Sequence, residues 1–363
     1  MKCLYVGAIF DRKIKTGGDV INKRNYSFLS QYYDCVDTFF TGNPSKKNSK
    51  FFVLKNIILN GTFSSLTQKD INKLIKLIEE KKYDVCYFAD STFGFLEKII
   101  KNKFPNIYIY TFFHNVEYNF YKQIASGKNI YKFPLPLCAK NNEELVMKYS
   151  DKIISINQRD ANEIERIYGR TVDFVLPTSF EDQFTDMDHN EQIKKLPVSL
   201  LFVGSDFYAN EHGIRWFVSN VLPKINAKVF IVGRGTERWK DFFLDNNNVN
   251  VLGAVDDLAA CYRKADAVII PIFEGSGMKT KTAEALMYGK NVYGTTEAFE
   301  GYDLDYDKIG GKCDTPEEFI QALNHDLMHR TKYNRYSRDI FKKSYSNDVW
   351  YEKFSEFLSI SIA

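Results

Sequence analysis

Residues 266–289 read DAVIIPIFEGSGMKTKTAEALMYG, and this stretch constrains the fold more than any other part of the chain. A run of β-branched residues at 268–270 ends at Pro271, which is typical of a buried parallel strand that stops at its carboxyl edge. A glycine-rich turn follows, and then a helical pattern that ends near Gly289. The stretch therefore predicts a strand–turn–helix unit of a parallel α/β sheet.

Two lysines, Lys279 and Lys281, fall in the first turn of the predicted helix, where cations normally oppose the helix dipole. A glycine-rich turn at a helix start leaves free backbone N–H groups, which attract anions. Two lysines there are favourable if an anion offsets them, so we interpret the turn as a site for a phosphorylated ligand. A plain turn with solvated lysines stays open as the alternative. The other residues expected around this ligand are Ser276, Gly277, Met278 and Thr282.

Two better-known phosphate motifs do not fit this turn. The Lys-Thr pair at 279–280 lacks the first glycine that a Walker loop requires at its fixed spacing. The glycine spacing also fails the dinucleotide-binding fingerprint, which in addition belongs near the start of a domain. Neither motif therefore identifies the phosphorylated ligand.

The segments GSGMKTKTAEAL and YGKNVYGTTEAFEGY resemble the nucleotide-sugar site of family 4 glycosyltransferases of the GT-B fold. More narrowly, they resemble a bacterial subgroup with the signature G-x-G-x-[KR]-x-K-x-x-E-A. The resemblance implies that Glu284 holds the ribose hydroxyls as the second glutamate of an E-x7-E motif. Ser276 occupies the position of the first glutamate, and Glu274, two residues upstream, is the candidate substitute that would contact the donor sugar.

The same resemblance extends back to the predicted strand at 200–204 and the helix after it. Many family members carry an Arg and a Lys here that grip the diphosphate, but this chain has Ser205 and Glu211-His212 instead. The phosphate charge is therefore assigned to Lys279 and Lys281. Val255 begins a segment that matches the part of the family lying along the nucleobase.

The first half of the chain also reads as alternating strands and helices. Gly17 and Gly18 follow the first predicted strand, at 4–10, and a paired glycine at this place faces the interdomain cleft in GT-B enzymes. His114 follows a predicted strand at 106–113, and ligands gather at the carboxyl ends of strands in doubly wound sheets. It resembles the family's active-site histidine, which contacts the donor sugar near the reacting carbon. A histidine that only packs below the next helix is the alternative.

A chain of 363 residues is too long for one core of ordinary size. We expect an α/β GT-B architecture, with two Rossmann-like doubly wound domains that face a central cleft. The predicted boundaries are 1–178 for an N-terminal acceptor-side domain, 179–197 for a linker and 198–340 for a nucleotide-sugar domain. Residues 341–363 are expected to form a helix that crosses back to the first domain. Residues 127–140 are expected to form a surface loop.

The charges are distributed unevenly between the two halves. The net charge is +3 overall, with about +9 in residues 1–178 and about −6 in the remainder. Lysines alternate with apolar residues at 46–55 and 128–140, which suits an anionic membrane surface as well as two solvated loops. Nucleic acid is not expected, because no recognised binding motif accompanies the charge.

The six cysteines are scattered without a CxxC spacing, which favours free thiols in a reducing cytoplasm over disulfides or a metal site. No apolar stretch approaches the length of a transmembrane helix. The expected location is cytoplasmic, peripheral at the inner membrane face. A DxD match at 303–305 lies in a late loop, so surface carboxylates are favoured there over a metal site.

Together, the residues and the resemblance predict a metal-independent glycosyltransferase without a cofactor, and the resemblance implies that it is retaining. It would move a sugar from a nucleotide-sugar donor to a saccharide or lipid-linked saccharide acceptor, in surface polysaccharide synthesis. A non-catalytic nucleotide-sugar-binding protein and a nucleotide-sugar epimerase remain the alternatives.

Overall fold

The computed structural model describes residues 1–7, 17–41, 56–57, 66–125, 134–185, 196–275, 277–326 and 329–362. The chain separates into two compact units. Unit 1 comprises Met1–Ile14, Gly18–Pro177 and Tyr351–Ala363, and unit 2 comprises Lys15–Gly17 and Thr178–Trp350.

Unit 1 is built on a parallel six-stranded sheet with the order β2-β1-β3-β4-β5-β6. Its strands are β1 (Lys2–Gly7), β2 (Cys35–Phe40), β3 (Val85–Phe88), β4 (Tyr108–Phe113), β5 (Lys152–Ser155) and β6 (Phe174–Val175). Its helices are α1 (Gly17–Tyr32), α2 (Gln68–Lys81), α3 (Gly94–Lys103), α4 (Glu117–Ala125), α5 (Pro134–Tyr149) and α6 (Gln158–Tyr168). Strand β3 is buried along its whole length, as a central parallel strand covered on both faces should be.

Unit 2 repeats this plan with a second parallel six-stranded sheet, of order β12-β11-β10-β7-β8-β9. Its strands are β7 (Val198–Val203), β8 (Ala227–Val232), β9 (Val249–Gly253), β10 (Ala267–Ile270), β11 (Val292–Gly294) and β12 (Gly310–Lys312). Its helices are α7 (Tyr208–Asn220), α8 (Leu258–Lys264), α9 (Thr280–Met287), α10 (Tyr306–Ile309), α11 (Pro316–Gln321) and α12 (Arg335–Ser344). The two parallel sheets with flanking helices confirm the predicted α/β class.

The last helix, α13 (Asn347–Ile362), contributes its residues from Tyr351 onward to unit 1. Phe354 is completely buried, and its ring centroid lies 6.3 Å from that of Phe28 on α1. Phe357 stacks on Phe174 of β6 with a centroid distance of 4.7 Å. The end of the chain thus packs on the sheet that its beginning forms.

One predicted loop is wrong in part. Residues 127–140 were expected to be a surface loop, but α5 begins at Pro134. Proline is favourable in the first turn of a helix, where its missing N–H is not needed, so the prolines at 134 and 136 start the helix instead of preventing it. The remainder of that predicted loop, 127–133, lies outside the described residues.

The aromatic contacts of α13 predict that it is essential to the stability of unit 1. Phe354→Ala should lower the free energy of unfolding by about 3–5 kcal/mol, because it removes a buried ring and leaves a cavity. Ile360→Ala on the same helix is the matched control, because Ile360 is 71% exposed. Urea denaturation followed by circular dichroism measures both, and equal effects of the two changes would contradict the packing described.

Candidate functional site

The turn between β10 and α9 has a backbone that requires glycine. Gly277 has a φ of +63°, in the left-handed region that side chains disfavour. Among the first four N–H groups of α9, Thr282 donates to the Lys279 carbonyl (2.9 Å) and Ala283 to the Tyr302 hydroxyl (3.2 Å). Within the described part of the chain, the N–H groups of Thr280 and Lys281 have no acceptor. The helix start therefore presents two donors and the positive end of a dipole.

Helix α7 lies unusually close to the end of β10. A Cβ on Gly213 would be 1.8 Å from the carbonyl oxygen of Pro271, so only glycine allows the approach. This contact brings the first turn of α7 next to α9. The proximity allows a side chain of one helix to hydrogen-bond to the other.

Lys281 makes such a contact. Its Nζ donates to Oδ1 of Asn210 on α7 at 2.5 Å and lies 4.9 Å from the ring centroid of Phe202. Burial, with a smaller contribution from the neighbouring ammonium of Lys279, lowers the pKa of Lys281 to about 7. The surroundings of Lys281 thus disfavour its positive charge, as expected for a side chain whose charged form is stabilised by a bound anion.

Lys279 is different, because it already has an anionic partner. Its Nζ lies 2.6 Å from Oε1 of Glu297, and the two side chains are only 11% and 19% exposed. The same Nζ donates to the Gly277 carbonyl at 3.0 Å. Of the two predicted phosphate-binding lysines, the structure therefore neutralises Lys279 and not Lys281.

Glu284 lies one turn beyond Lys281 on α9 and is half-buried. Its Oε2 accepts a hydrogen bond from the Tyr262 hydroxyl at 2.9 Å. Burial raises the pKa of Glu284 to about 7, although the Tyr262 hydrogen bond and the charge of Lys281 oppose the rise. A carboxylate with one oxygen held in this way can accept hydrogen bonds from ligand hydroxyls at the other.

Two other predicted contact residues use their side chains inside the protein. The Thr282 hydroxyl is buried and donates to the Ala298 carbonyl at 2.7 Å. The Met278 sulfur accepts from the Thr178 N–H at 3.4 Å. Any role of these residues in ligand binding would therefore fall to their backbones. Ser276 lies outside the described residues.

Glu274 and Val255 lie in loops that follow the carboxyl ends of β10 and β9. Glu274 is exposed, and its Oε1 lies 3.9 Å from Nδ1 of His212 on α7. Val255 is half-buried, between β9 and α8. Both are placed at the sheet edge where their predicted roles require them, and those roles stay predictions.

His114 follows β4 in unit 1 and is half-buried. Its Nε2 lies 2.9 Å from Oδ1 of Asn22 on α1, and its ring meets Phe112 edge-on at 4.9 Å. Burial lowers the pKa of His114, and the nearby Asp90 carboxylate opposes this change. The histidine is therefore neutral near pH 7, which suits hydrogen bonding to a sugar hydroxyl.

The predicted glycine pair, Gly17 and Gly18, begins α1, and the loop before it lies outside the described residues.

The loop that carries His114 is anchored by a buried carboxylate. Glu143 on α5 accepts from the Glu117 N–H at 2.8 Å, from the Tyr118 N–H at 3.2 Å and from the Tyr168 hydroxyl at 2.6 Å. Burial nevertheless raises the pKa of Glu143 to about 7. The start of α4 is thereby fixed three residues beyond His114.

Sequence reasoning missed the residues that hold these groups, namely Asn22, Asn210, Tyr262 and Glu297. Little in the sequence indicated them, since none belongs to a signature motif and each lies on a different element from the group that it contacts.

In the described ranges, no group of three or more His, Cys, Asp or Glu residues is placed to hold a metal ion. In the same ranges, no helix combines the length and the apolar character needed to cross a membrane.

Solved structures with the same fold cover almost the whole chain. The apo form of the lipopolysaccharide outer core galactosyltransferase WaaB aligns with a TM-score of 0.68 at 14% identity, covering 99% of each chain. Sucrose-phosphate synthase from Thermosynechococcus elongatus gives 0.73 at 12% identity, covering 99% of this chain and 98% of its own. Anabaena HepE in complex with UDP-glucose gives 0.66 at 13% identity, covering 99% of each chain.

The sequence comparison points the same way for unit 2. No curated protein sequence matches the chain. Residues 197–327, which contain the β10–α9 turn and its neighbours, match the family model described as glycosyl transferases group 1. These residues therefore form a glycosyl transferases group 1 domain, the whole chain has the GT-B fold, and the chain is a glycosyltransferase.

Proposed function

We propose that this glycosyltransferase moves a sugar from a nucleotide-sugar donor to a saccharide or lipid-linked saccharide acceptor, with retention of configuration and without a metal ion. The proposal assigns the chain to family 4 and to the subgroup with the G-x-G-x-[KR]-x-K-x-x-E-A signature. Retention follows from that resemblance. The role in surface polysaccharide synthesis is part of the same proposal.

The first turn of α9 is the observation that carries this proposal. Together with the residue that follows it, this turn presents two N–H donors, the Lys281 ammonium and the Glu284 carboxylate within the five residues 280–284. Phosphate oxygens need donors and positive charge, whereas ribose hydroxyls need an acceptor. A nucleoside diphosphate presents both kinds of group next to each other, so it matches this turn better than either part alone.

The same groups explain how the turn would promote transfer. When the bond from the sugar to the diphosphate breaks, negative charge develops on the leaving phosphate. Donors that are already in place stabilise that charge without reorganisation, which is usually the largest single contribution to catalysis. Lys281 and the N–H groups of Thr280 and Lys281 would act in this way.

The structural neighbours suggest which donor to try first. HepE was solved with UDP-glucose, and other structures of it hold UDP or UDP and glucose. We therefore propose a uridine diphosphate sugar as the donor class. Glu284 would hold its ribose, Val255 would lie along its base, and His114 and Glu274 would contact its sugar.

A panel of nucleotide sugars without acceptor tests the proposal against its alternatives. Slow release of free nucleotide supports a transferase, because water replaces the acceptor. An isomerised sugar would indicate an epimerase. Saturable binding without turnover would indicate the binding protein, an alternative that the missing glutamate at Ser276 and the missing clamp at Ser205 keep open.

The first prediction concerns the phosphate charge. Charge-assisted hydrogen bonds to phosphate contribute about 1.5–3 kcal/mol each, so Lys281→Ala should weaken UDP binding by about one to two orders of magnitude. Uridine binding should change little. Lys279→Ala is the comparison and should have the smaller effect, because Glu297 already neutralises that lysine. Isothermal titration calorimetry measures the affinity of the unchanged protein and of both variants for UDP and for uridine. If Lys281→Ala weakened the binding of uridine as much as that of UDP, the assignment of Lys281 to the phosphates would be refuted.

A pH dependence follows from the lowered pKa of Lys281, which is about 7 in the free protein. The diphosphate favours the charged ammonium, so it binds with uptake of a proton at pH values above that pKa. UDP affinity should then fall by up to about tenfold per pH unit between pH 7.5 and 9, where the phosphates, with a second pKa of about 6, stay ionised. Lys281→Arg stays charged throughout and should abolish this slope. A slope that persists in the arginine variant would assign the proton to another group.

The next prediction concerns His114. His114→Ala should lower the turnover of donor hydrolysis much more than donor affinity, because the ring is proposed to act near the reacting carbon. His114→Asn keeps a hydrogen-bonding side chain and should retain more turnover than the alanine variant. A loss of donor affinity alone would make His114 a packing residue.

We also propose that the basic half meets an anionic membrane surface at the inner membrane face, where a lipid-linked acceptor would be found. The segment 46–55 lies outside the described residues, and residues 134–140 of the second segment belong to α5. Each lysine near such a surface contributes about 1 kcal/mol, and salt screens the attraction. Cosedimentation with anionic vesicles should weaken as salt rises and be lost when Lys46, Lys47 and Lys50 become glutamate. If the protein bound neutral vesicles as well as anionic ones, the proposed anionic membrane surface would be excluded.

A further inference from the structure

Lys281 and Glu284 are neighbours on one face of α9, three residues apart. Opposite charges at this spacing on a helix attract each other and commonly form an ion pair. Here each makes its hydrogen bond to a neutral group, Lys281 to Asn210 at 2.5 Å and Glu284 to Tyr262 at 2.9 Å. Among the described residues, the two charged groups form no ion pair with each other, although each still affects the pKa of the other.

The two neutral partners are held firmly in place. Asn210 is 9% exposed, and its Nδ2 donates to the Ser205 carbonyl at 2.8 Å, which directs its Oδ1 at Lys281. Tyr262 is fully buried and stacks on Tyr288, with ring centroids 4.6 Å apart. Both polar atoms therefore stay at fixed positions on α7 and α8 while α9 presents its two charges.

Lys279 is an example of a lysine in this site that is paired with a carboxylate. It lies two residues before Lys281 on the same turn, and it has formed a short, largely buried ion pair with Glu297. A ligand that uses such a lysine must first replace its carboxylate partner. A hydrogen bond to a neutral amide is weaker than one to a carboxylate, so a phosphate replaces it more easily.

We propose that Asn210 and Tyr262 are positioning residues that keep Lys281 and Glu284 from neutralising each other. The ammonium then stays available to the diphosphate of the donor and the carboxylate to its ribose. The benefit to donor binding rests on the proposed function. The separation of the two charges is a property of the free protein and can be tested without any ligand.

The direction in which Lys281 titrates gives that test. In Asn210→Ala, loss of an acceptor alone would lower the pKa of Lys281, whereas a new ion pair with Glu284 would raise it. In Tyr262→Phe, a carboxylate that stays in place loses a donor that favours its charged form, so the pKa of Lys281 stays unchanged or falls, whereas a carboxylate released toward Lys281 raises it. We expect a rise of about one pH unit or more in the titration midpoint of both variants, as an opposite charge at close range produces.

The measurement is a pH titration of the Cε resonance of Lys281 in protein labelled with carbon-13 lysine, assigned by its loss in Lys281→Arg. Tyr288→Phe and Asn220→Ala are the matched controls. The first removes a hydroxyl from the same stacked pair of tyrosines. The second removes an amide at the far end of α7, where Nδ2 of Asn220 donates to the Trp216 carbonyl one turn earlier. Both should titrate as the unchanged protein does. A lower or unchanged midpoint in Asn210→Ala and Tyr262→Phe would overturn the proposal.

Binding of UDP and uridine then tests whether keeping Lys281 and Glu284 apart favours binding of the donor. In both variants UDP should bind about tenfold more weakly than in the controls, because the new ion pair must break first. Tyr262→Phe should also weaken uridine binding, since Glu284 would have turned away from the ribose. If the unchanged protein binds no UDP, the proposed function fails while the titration still decides the separation. If UDP binds but the variants match their controls, the positioning role fails and the proposed function stands.

Discussion

The site is built around one ammonium group, that of Lys281, whose charged form is disfavoured by its surroundings. Burial, with a smaller contribution from the neighbouring Lys279, lowers the pKa of Lys281 to about 7. The same ammonium belongs to the first turn of α9, at the positive end of the helix dipole. Such an arrangement costs stability unless an anion is bound. The acceptor that the ammonium meets, Asn210, is on α7, and α7 packs closely against the end of β10 at Gly213. A rigid α/β framework is what allows an unfavourable charge to be kept at a fixed position.

The sequence predicted the strand, turn and helix of this site well, because all of its signals are local. The β-branched run, Pro271 and the glycines lie within a dozen residues of each other, and each has a direct conformational effect. Which of the two lysines would be neutralised could not be predicted in this way. Glu297 lies 18 residues after Lys279, on the loop that follows β11, and it reaches the turn only because β11 pairs with β10.

Unit 1 shows the same division between local and distant information. The place of His114 at the end of β4 follows from a clear strand pattern and a general rule about parallel sheets. Its hydrogen bond to Asn22 does not, because 92 residues separate the pair and α1 has many polar positions. The loop expected at 127–140 was wrong in part for another reason, since the prediction gave no weight to proline as a helix start and the structure begins α5 at Pro134.

One cation in unit 2 lies beside the turn where the Arg and Lys implied by the resemblance are absent. The sequence has no Arg or Lys after β7, where the resemblance leads one to expect them, but the first turn of α7 is not without a cation. Lys281 extends from α9 to Asn210 and so places its ammonium beside that turn from the opposite helix. The ammonium near this turn therefore comes from a different element. Because Met278 and Thr282 direct their side chains into the protein, any contact of these two residues with a ligand would come from their backbones.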